Sequence, residues 1–90
     1  MEILYTDTFE KLFNKLPKHI RQKAIRKIKL FENNPFLPIL KVEKLYTPFG
    51  DLWSFRIDRS YRIIFSFLSK DKVILYFIGP HSYIYKLIKK

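Results

Sequence analysis

The chain has no cysteine among its 90 residues, so it can build neither a disulfide framework nor a thiolate metal centre. Its two histidines, His19 and His81, lie far apart in sequence, which argues against an imidazole zinc site; no metal and no cofactor is expected. Glycine is nearly as scarce, with Gly50 and Gly79 alone, and the 48% of hydrophobic residues supplies a packed core where a disordered chain would be polar. Long apolar runs are missing too. Residues 63–65 and 73–78 are the longest, far below the ~20 that cross a bilayer. Glu2, Asp7 and Glu10 stand where a secretory leader would be cationic and then apolar, so a soluble cytoplasmic protein without a membrane partner is expected. Acidic residues are few: eight Asp and Glu against 18 Lys and Arg leave a net charge of +10, which suits a polyanionic partner. Charge alone does not choose among nucleic acid, an anionic membrane face and an acidic protein.

A chain this short supports one core, so residues 1–90 are read as a single domain. Ile3, Leu4 and Tyr5 form a short strand, and Asp7 with Glu10 has the spacing of a capping box that opens a helix. Phe9, Leu12, Phe13 and Leu16 share one helical face. Pro17 interrupts that helix and suits the start of a second, whose apolar stripe is Ile20, Ala24, Ile28 and Phe31. Ile25 and Leu30 fall off the stripe, so either the buried face is broad or another molecule covers them. Asn33, Asn34 and Pro35 stop the second helix, and Pro38 and Pro48 make the segment out to Gly50 an irregular connection. Strands are predicted at 52–57, 61–67 and 73–78, with Gly79 and Pro80 ending the sheet and residues 81–90 forming a tail. The order is β-α-α-β-β-β: an α+β domain with a helical hairpin on one face of a mostly antiparallel, four-stranded sheet.

If Asp58, Arg59 and Ser60 form a three-residue turn, Ile57 faces Tyr61, Phe55 faces Ile63 and Trp53 faces Phe65, a consistent core face on which Trp53 is a packing anchor. The same register sets Arg56 directly opposite Arg62 on the other face, beside Ser54 and Ser66. Like charges directly opposed across an antiparallel pair are destabilising, and an anion between them would remove the conflict. Two guanidiniums a few ångströms apart suit a phosphate that gains charge in a transition state. The structural alternative pairs one arginine with Asp58 or a tail carboxylate and lays the other on the sheet.

Glu43 in the connection could reach that face, as a catalytic group or as a solvated charge. His81, directly after a strand end, offers the side chain best suited to passing protons near neutrality, or is a plain loop residue. Tyr83 and Tyr85 could stack on a base or supply a hydroxyl, or pack half-buried. His19 sits among helix lysines and reads as surface.

The stretches GDLWSFRIDRSYRIIF and VILYFIGPHSYIYK resemble the carboxyl-terminal half of the RelE/ParE toxin superfamily, in particular its RelE- and YoeB-like ribonucleases. The resemblance implies a toxin of a type II toxin-antitoxin system that enters the ribosomal A site, cuts messenger RNA and is neutralised by an acidic antitoxin. Arg56 and Arg62 match the family's basic strand positions. Glu43 resembles the glutamate that YoeB-like members use as a general base, and His81 the group that protonates the leaving oxygen. Tyr85 resembles the RelE-like tail tyrosine. YoeB-like members place a tyrosine directly after the histidine, where this chain has Ser82, so the functional tyrosine lies between Tyr83 and Tyr85.

The expectation is therefore a metal-independent endoribonuclease. The RNA's 2′-hydroxyl attacks the adjacent phosphate, Glu43 or His81 takes its proton, Arg56 and Arg62 stabilise the phosphorane, and His81 protonates the 5′ oxygen. Lys18, Arg21, Lys23, Arg26, Lys27 and Lys29 on the second helix, with Tyr83, would meet ribosomal RNA. Seven basic residues between Lys15 and Lys29 are read as meeting no acid. The competing readings are a ParE-like inhibitor of DNA gyrase, a non-catalytic basic RNA-binding domain, and a degenerate toxin that keeps only antitoxin binding.

Overall fold

A computed structural model of the chain describes residues 1–48 and 50–88. Strand β1 (Glu2–Tyr5) leads into helices α1 (Asp7–Asn14) and α2 (Lys18–Asn33). A 3-10 turn (Pro38–Leu40) and β2 (Glu43–Thr47) follow, then β3 (Gly50–Arg56), β4 (Tyr61–Ser69), β5 (Lys72–Pro80) and α3 (His81–Ile88). The strands make one sheet in the order β1-β5-β4-β3-β2, with β1 parallel to β5 and the other neighbours antiparallel. No helix among the described residues is long and apolar enough to cross a membrane.

The α+β class and the helical pair on one face are as the sequence predicts, but the sheet has five strands where four were expected. The connection expected to be irregular contains β2, which pairs with β3 from Glu43↔Ser54 to Thr47↔Gly50. Pro38 and Pro48 bracket this strand without entering it, and Gly50, at φ 104°, takes the left-handed backbone that a side chain would strain. The expected tail is the helix α3, directly after Pro80, which ends β5 and has no amide to extend the ladder. Lys89 and Lys90, also assigned to that tail, lie outside the described residues.

Helix α1 is capped by Thr6, not by Asp7. Thr6 Oγ1 accepts from the Phe9 amide at 2.9 Å and donates to the Tyr76 carbonyl at 3.0 Å, so the cap also ties α1 to β5. Asp7 and Glu10 remain in the first turn, where they complement the helix dipole.

The helical pair covers one sheet face. Phe9, Leu16, Ile20, Ala24 and Phe31 are buried against Phe55, Ile57, Ile63, Phe65, Val73, Leu75 and Ile78. Phe31 stacks on Phe55 with ring centres 4.3 Å apart and meets Phe65 edge-on at 4.7 Å. Truncating such a ring to alanine costs about 3–5 kcal/mol. Ile25 and Leu30 stay exposed, so the buried face of α2 is not broad enough to take them in. On the opposite face α3 packs Ile84 against Ile64 and Leu45, a smaller cluster that leaves the rest of that face open.

Candidate functional site

The expected register is present: Trp53↔Phe65, Phe55↔Ile63 and Arg56↔Arg62, with the Ile57 amide bonded to the Tyr61 carbonyl at 3.0 Å. Because Phe55, Ile57 and Ile63 enter the core under α1 and α2, Arg56 and Arg62 project to the other face. Directly opposed residues hold their Cβ atoms about 4.5–5.5 Å apart, so the two cations share one patch.

They differ in how they are held. Arg56 is exposed, whereas Arg62 is 7% exposed and its Nη1 donates to two carbonyls of the preceding turn, Asp58 at 2.9 Å and Arg59 at 3.1 Å, and to that of Tyr61 at the start of β4 at 3.1 Å. Arg62 therefore fastens the turn as well as presenting charge, and its partners are backbone oxygens, not the Asp58 carboxylate. That carboxylate accepts the amides of Ser60 and Tyr61, each at 2.9 Å, and pairs with Lys23 at 3.4 Å. Burial pushes the Asp58 pKa up, but the two amides and Lys23 outweigh it and hold the carboxyl below its ordinary value. Burial lowers the Arg62 pKa, Arg56 lowers it further, and Tyr85, Glu43 and Asp58 oppose the fall. The guanidinium remains a cation throughout the working range of a protein.

Helix α3 brings the remaining groups to this patch. Gly79, opposite Arg62 in the β4–β5 register, lets the helix approach: a Cβ there would lie 3.3 Å from Tyr83 Cδ2 and 3.6 Å from Ile84 Cδ1. The His81 amide donates to the Ser60 carbonyl at 2.7 Å, which joins the helix start to the turn that holds Arg62. Arg59, Ser60, Arg62, Pro80, His81 and Ser82 line an open cavity of about 440 Å³. One turn on, the Tyr85 hydroxyl donates to Glu43 Oε1 at 3.2 Å, while its ring centre lies 4.5 Å from that of His81. Burial raises the Tyr85 pKa, the Glu43 charge and hydrogen bond raise it further, and Ser54 and Arg62 oppose them. The phenol thus stays protonated and a donor.

Glu43, Arg56, Arg62, His81 and Tyr85, chosen from sequence, all come together on this face. Tyr83 is exposed and lies beside Gly79, and the hydroxyl that meets Glu43 is that of Tyr85. Arg59 also lines the cavity, a position that the sequence signals only by its place in a turn one residue from the arginine-bearing strand. The basic residues of α2 lie in the helical layer, across the sheet. Two of them have structural partners. Arg21 donates to the carbonyls of Leu16 at 2.9 Å and Asn14 at 3.3 Å, and Lys23 pairs with Asp58, which corrects the expectation that this helix meets no acid. Lys18, Arg26 and Lys29 are exposed and Lys27 is half-buried. Among the described residues no group of three or more His, Asp and Glu could hold a metal ion.

Residues 11–79 match the family model described as Phage derived protein Gp49-like (DUF891). No curated protein sequence matches the chain. Solved structures do. The YoeB/ParE toxin from Agrobacterium tumefaciens superposes with a TM-score of 0.73 at 19% identity, over 90% of this chain and 99% of that one. YafQ from E. coli gives 0.77 at 17% identity, over 93% and 97%. The RelB-RelE antitoxin-toxin complex from Methanococcus jannaschii gives 0.71 at 24% identity, over 93% and 96%. The fold is that of RelE- and YoeB-like toxins.

Proposed function

The chain belongs to the family of phage-derived Gp49-like proteins, and from that premise and the geometry of the sheet's open face we propose that it is the toxin of a toxin-antitoxin pair and cuts RNA. One observation carries the reading: Tyr85 stands between Glu43 and His81, with the Arg56–Arg62 pair alongside. An in-line displacement at phosphorus needs a base and an acid at two separated places, and positive charge between them.

In this mechanism the RNA's 2′-hydroxyl attacks the adjacent phosphorus. The bond from O2′ to phosphorus forms as the bond from phosphorus to O5′ breaks, leaving a 2′,3′-cyclic phosphate and a 5′-hydroxyl. Glu43 takes the 2′ proton on the oxygen that Tyr85 leaves free, and His81 gives a proton to the departing O5′. Arg56 and Arg62 stabilise the charge gathering on the non-bridging oxygens, with Arg62 fixed beforehand by the turn carbonyls so that little reorganisation is needed. Tyr85 orients Glu43. Lys18, Arg26 and Lys29, exposed on α2, hold ribosomal RNA phosphates and place the open face against messenger RNA. The M. jannaschii and E. coli relatives are solved with antitoxins, RelB and DinJ, and the +10 charge suits an acidic antitoxin here.

Incubating the purified protein with translating ribosomes and mapping the new 5′ RNA ends tests this. Cuts phased with codons and ending in 5′-hydroxyls are expected. Intact RNA, with DNA cleavage complexes when gyrase is supplied instead, would replace the ribonuclease reading with a gyrase poison.

A further inference from the structure

The helix-facing side of β2 carries a second group of side chains that cleavage does not use. Tyr46 is 92% exposed, although most aromatic rings in a small domain are at least half covered. Lys44 Nζ lies 5.9 Å from the Tyr46 ring centre and 6.0 Å from that of Trp53, and 3.6 Å from Asp51 Oδ1. Phe36, 60% exposed, stacks on Phe67 at 6.0 Å and 19° and meets Trp53 edge-on at 6.4 Å. A strip of accessible aromatic surface thus runs past the end of the helical layer, linked by one lysine.

The chemistry of the strip selects its ligand. Asp51 offsets the charge of Lys44, so there is little net attraction for a phosphate, while the Tyr46 ring is accessible for stacking and Trp53 and Phe36 extend the aromatic surface beside it. Its position points the same way. β2 is an edge strand, so nothing in the sheet blocks a path around it. Glu43 begins β2 on the cleavage face, and Tyr46, three residues later, lies about 10 Å along the strand at ~3.4 Å per residue, on the reverse face. A single strand anchored at Arg56 and Arg62, with its 2′-hydroxyl at Glu43, would reach Tyr46 by crossing that edge.

We propose that Tyr46, with Trp53 and Phe36 beside it, is a stacking platform for unpaired RNA bases flanking the bond that is cut. This rests on the ribonuclease reading of the open face, and the test separates the two. An uncleavable oligonucleotide, 2′-O-methylated throughout, is titrated against the protein by anisotropy and by the emission of Trp53, the one tryptophan in the chain. Tyr46→Ala, at a position too exposed to disturb folding, is expected to weaken binding roughly tenfold, within the range for base-stacking aromatics. Wild-type Trp53 emission should be quenched by the oligonucleotide and far less by an abasic strand of equal length. Unchanged affinity in Tyr46→Ala, or equal quenching by the abasic strand, overturns the platform and leaves the strip to a protein partner. Normal cutting by Arg56→Ala together with weakened binding by Tyr46→Ala would remove the cleavage mechanism and keep the platform.

Discussion

Replacing Arg56 with alanine separates charge from structure at the proposed site. Among the described residues the Arg56 side chain is exposed and forms no hydrogen bond or ion pair, so the substitution removes a charge and little packing. It also ends the opposition to Arg62, and like charges facing each other across strands cost up to about 1 kcal/mol. Stability is therefore expected to stay level or rise slightly. The rate is expected to fall: losing a preorganised group that stabilises transition-state charge costs about 100- to 1000-fold in kcat, or ~2.7–4 kcal/mol, and Arg56, whose side chain no described residue holds in place, belongs at the lower end. Arg62→Ala gives the contrast. It strips a charged donor from three backbone carbonyls and should cost stability as well as rate, by about 1.5–3 kcal/mol for bonds to a charged group. Single-turnover cleavage on programmed ribosomes and urea denaturation of both variants measure the two effects. Arg56→Ala that cuts at the wild-type rate refutes the clamp, and Arg56→Ala as destabilised as Arg62→Ala refutes the division of roles between the arginines.

Further expectations follow from individual contacts. The folded-state pKa of Asp58 lies below its unfolded value, so its stabilisation is complete above the unfolded pKa and is lost as pH falls through the folded one. The denaturation gap between wild type and Asp58→Asn should therefore be widest near neutral pH and close on acidification; a gap independent of pH would reject the ion pair and turn bonds as its source. Gly79→Ala should push α3 outward through Tyr83 and Ile84 and lower cleavage with a small loss of stability, visible as wild-type RNA affinity with reduced kcat. Tyr85→Phe removes only the hydroxyl on Glu43, and kcat should drop roughly 2- to 10-fold at constant KM, the scale of one hydrogen bond; a change in KM alone would make Tyr85 a substrate contact. Reversing Lys18, Arg26 and Lys29 to glutamate should weaken ribosome association and flatten its salt dependence while leaving the α2 core intact. Undiminished binding at physiological salt would show that this face only meets solvent.

The arginine pair was legible in the sequence because a three-residue turn between two alternating strands leaves a single register that keeps Phe55, Ile57, Ile63 and Phe65 in the core. Glu43 and His81 were chosen by type and resemblance, and their elements were misread for physical reasons. β2 buries only Leu45, so its alternation is too weak to stand out between two prolines. α3 has eight residues rich in aromatic and β-branched side chains, which favour strands, and becomes a helix because Ile84 finds Ile64 and Leu45 on the sheet. The shift of the first cap from Asp7 to Thr6 has a similar origin: the Thr6 hydroxyl gains a bond to Tyr76, 70 residues away, that local spacing does not reveal. Which tyrosine meets Glu43 depends on helical phase, and a tail read as irregular has none.

Residues 2–5 pair with residues 72–75 in parallel, so segments about 70 positions apart in the chain meet inside one sheet. A nascent polypeptide cannot complete that pairing until β5 has left the exit tunnel, and closing so long a loop is a late, entropically costly event. Until then β1 has no neighbour and Thr6 lacks the Tyr76 carbonyl that secures the first helix. Pairing of β1 is thus a late step of folding, because β5, its neighbour in the sheet, follows the other strands along the chain.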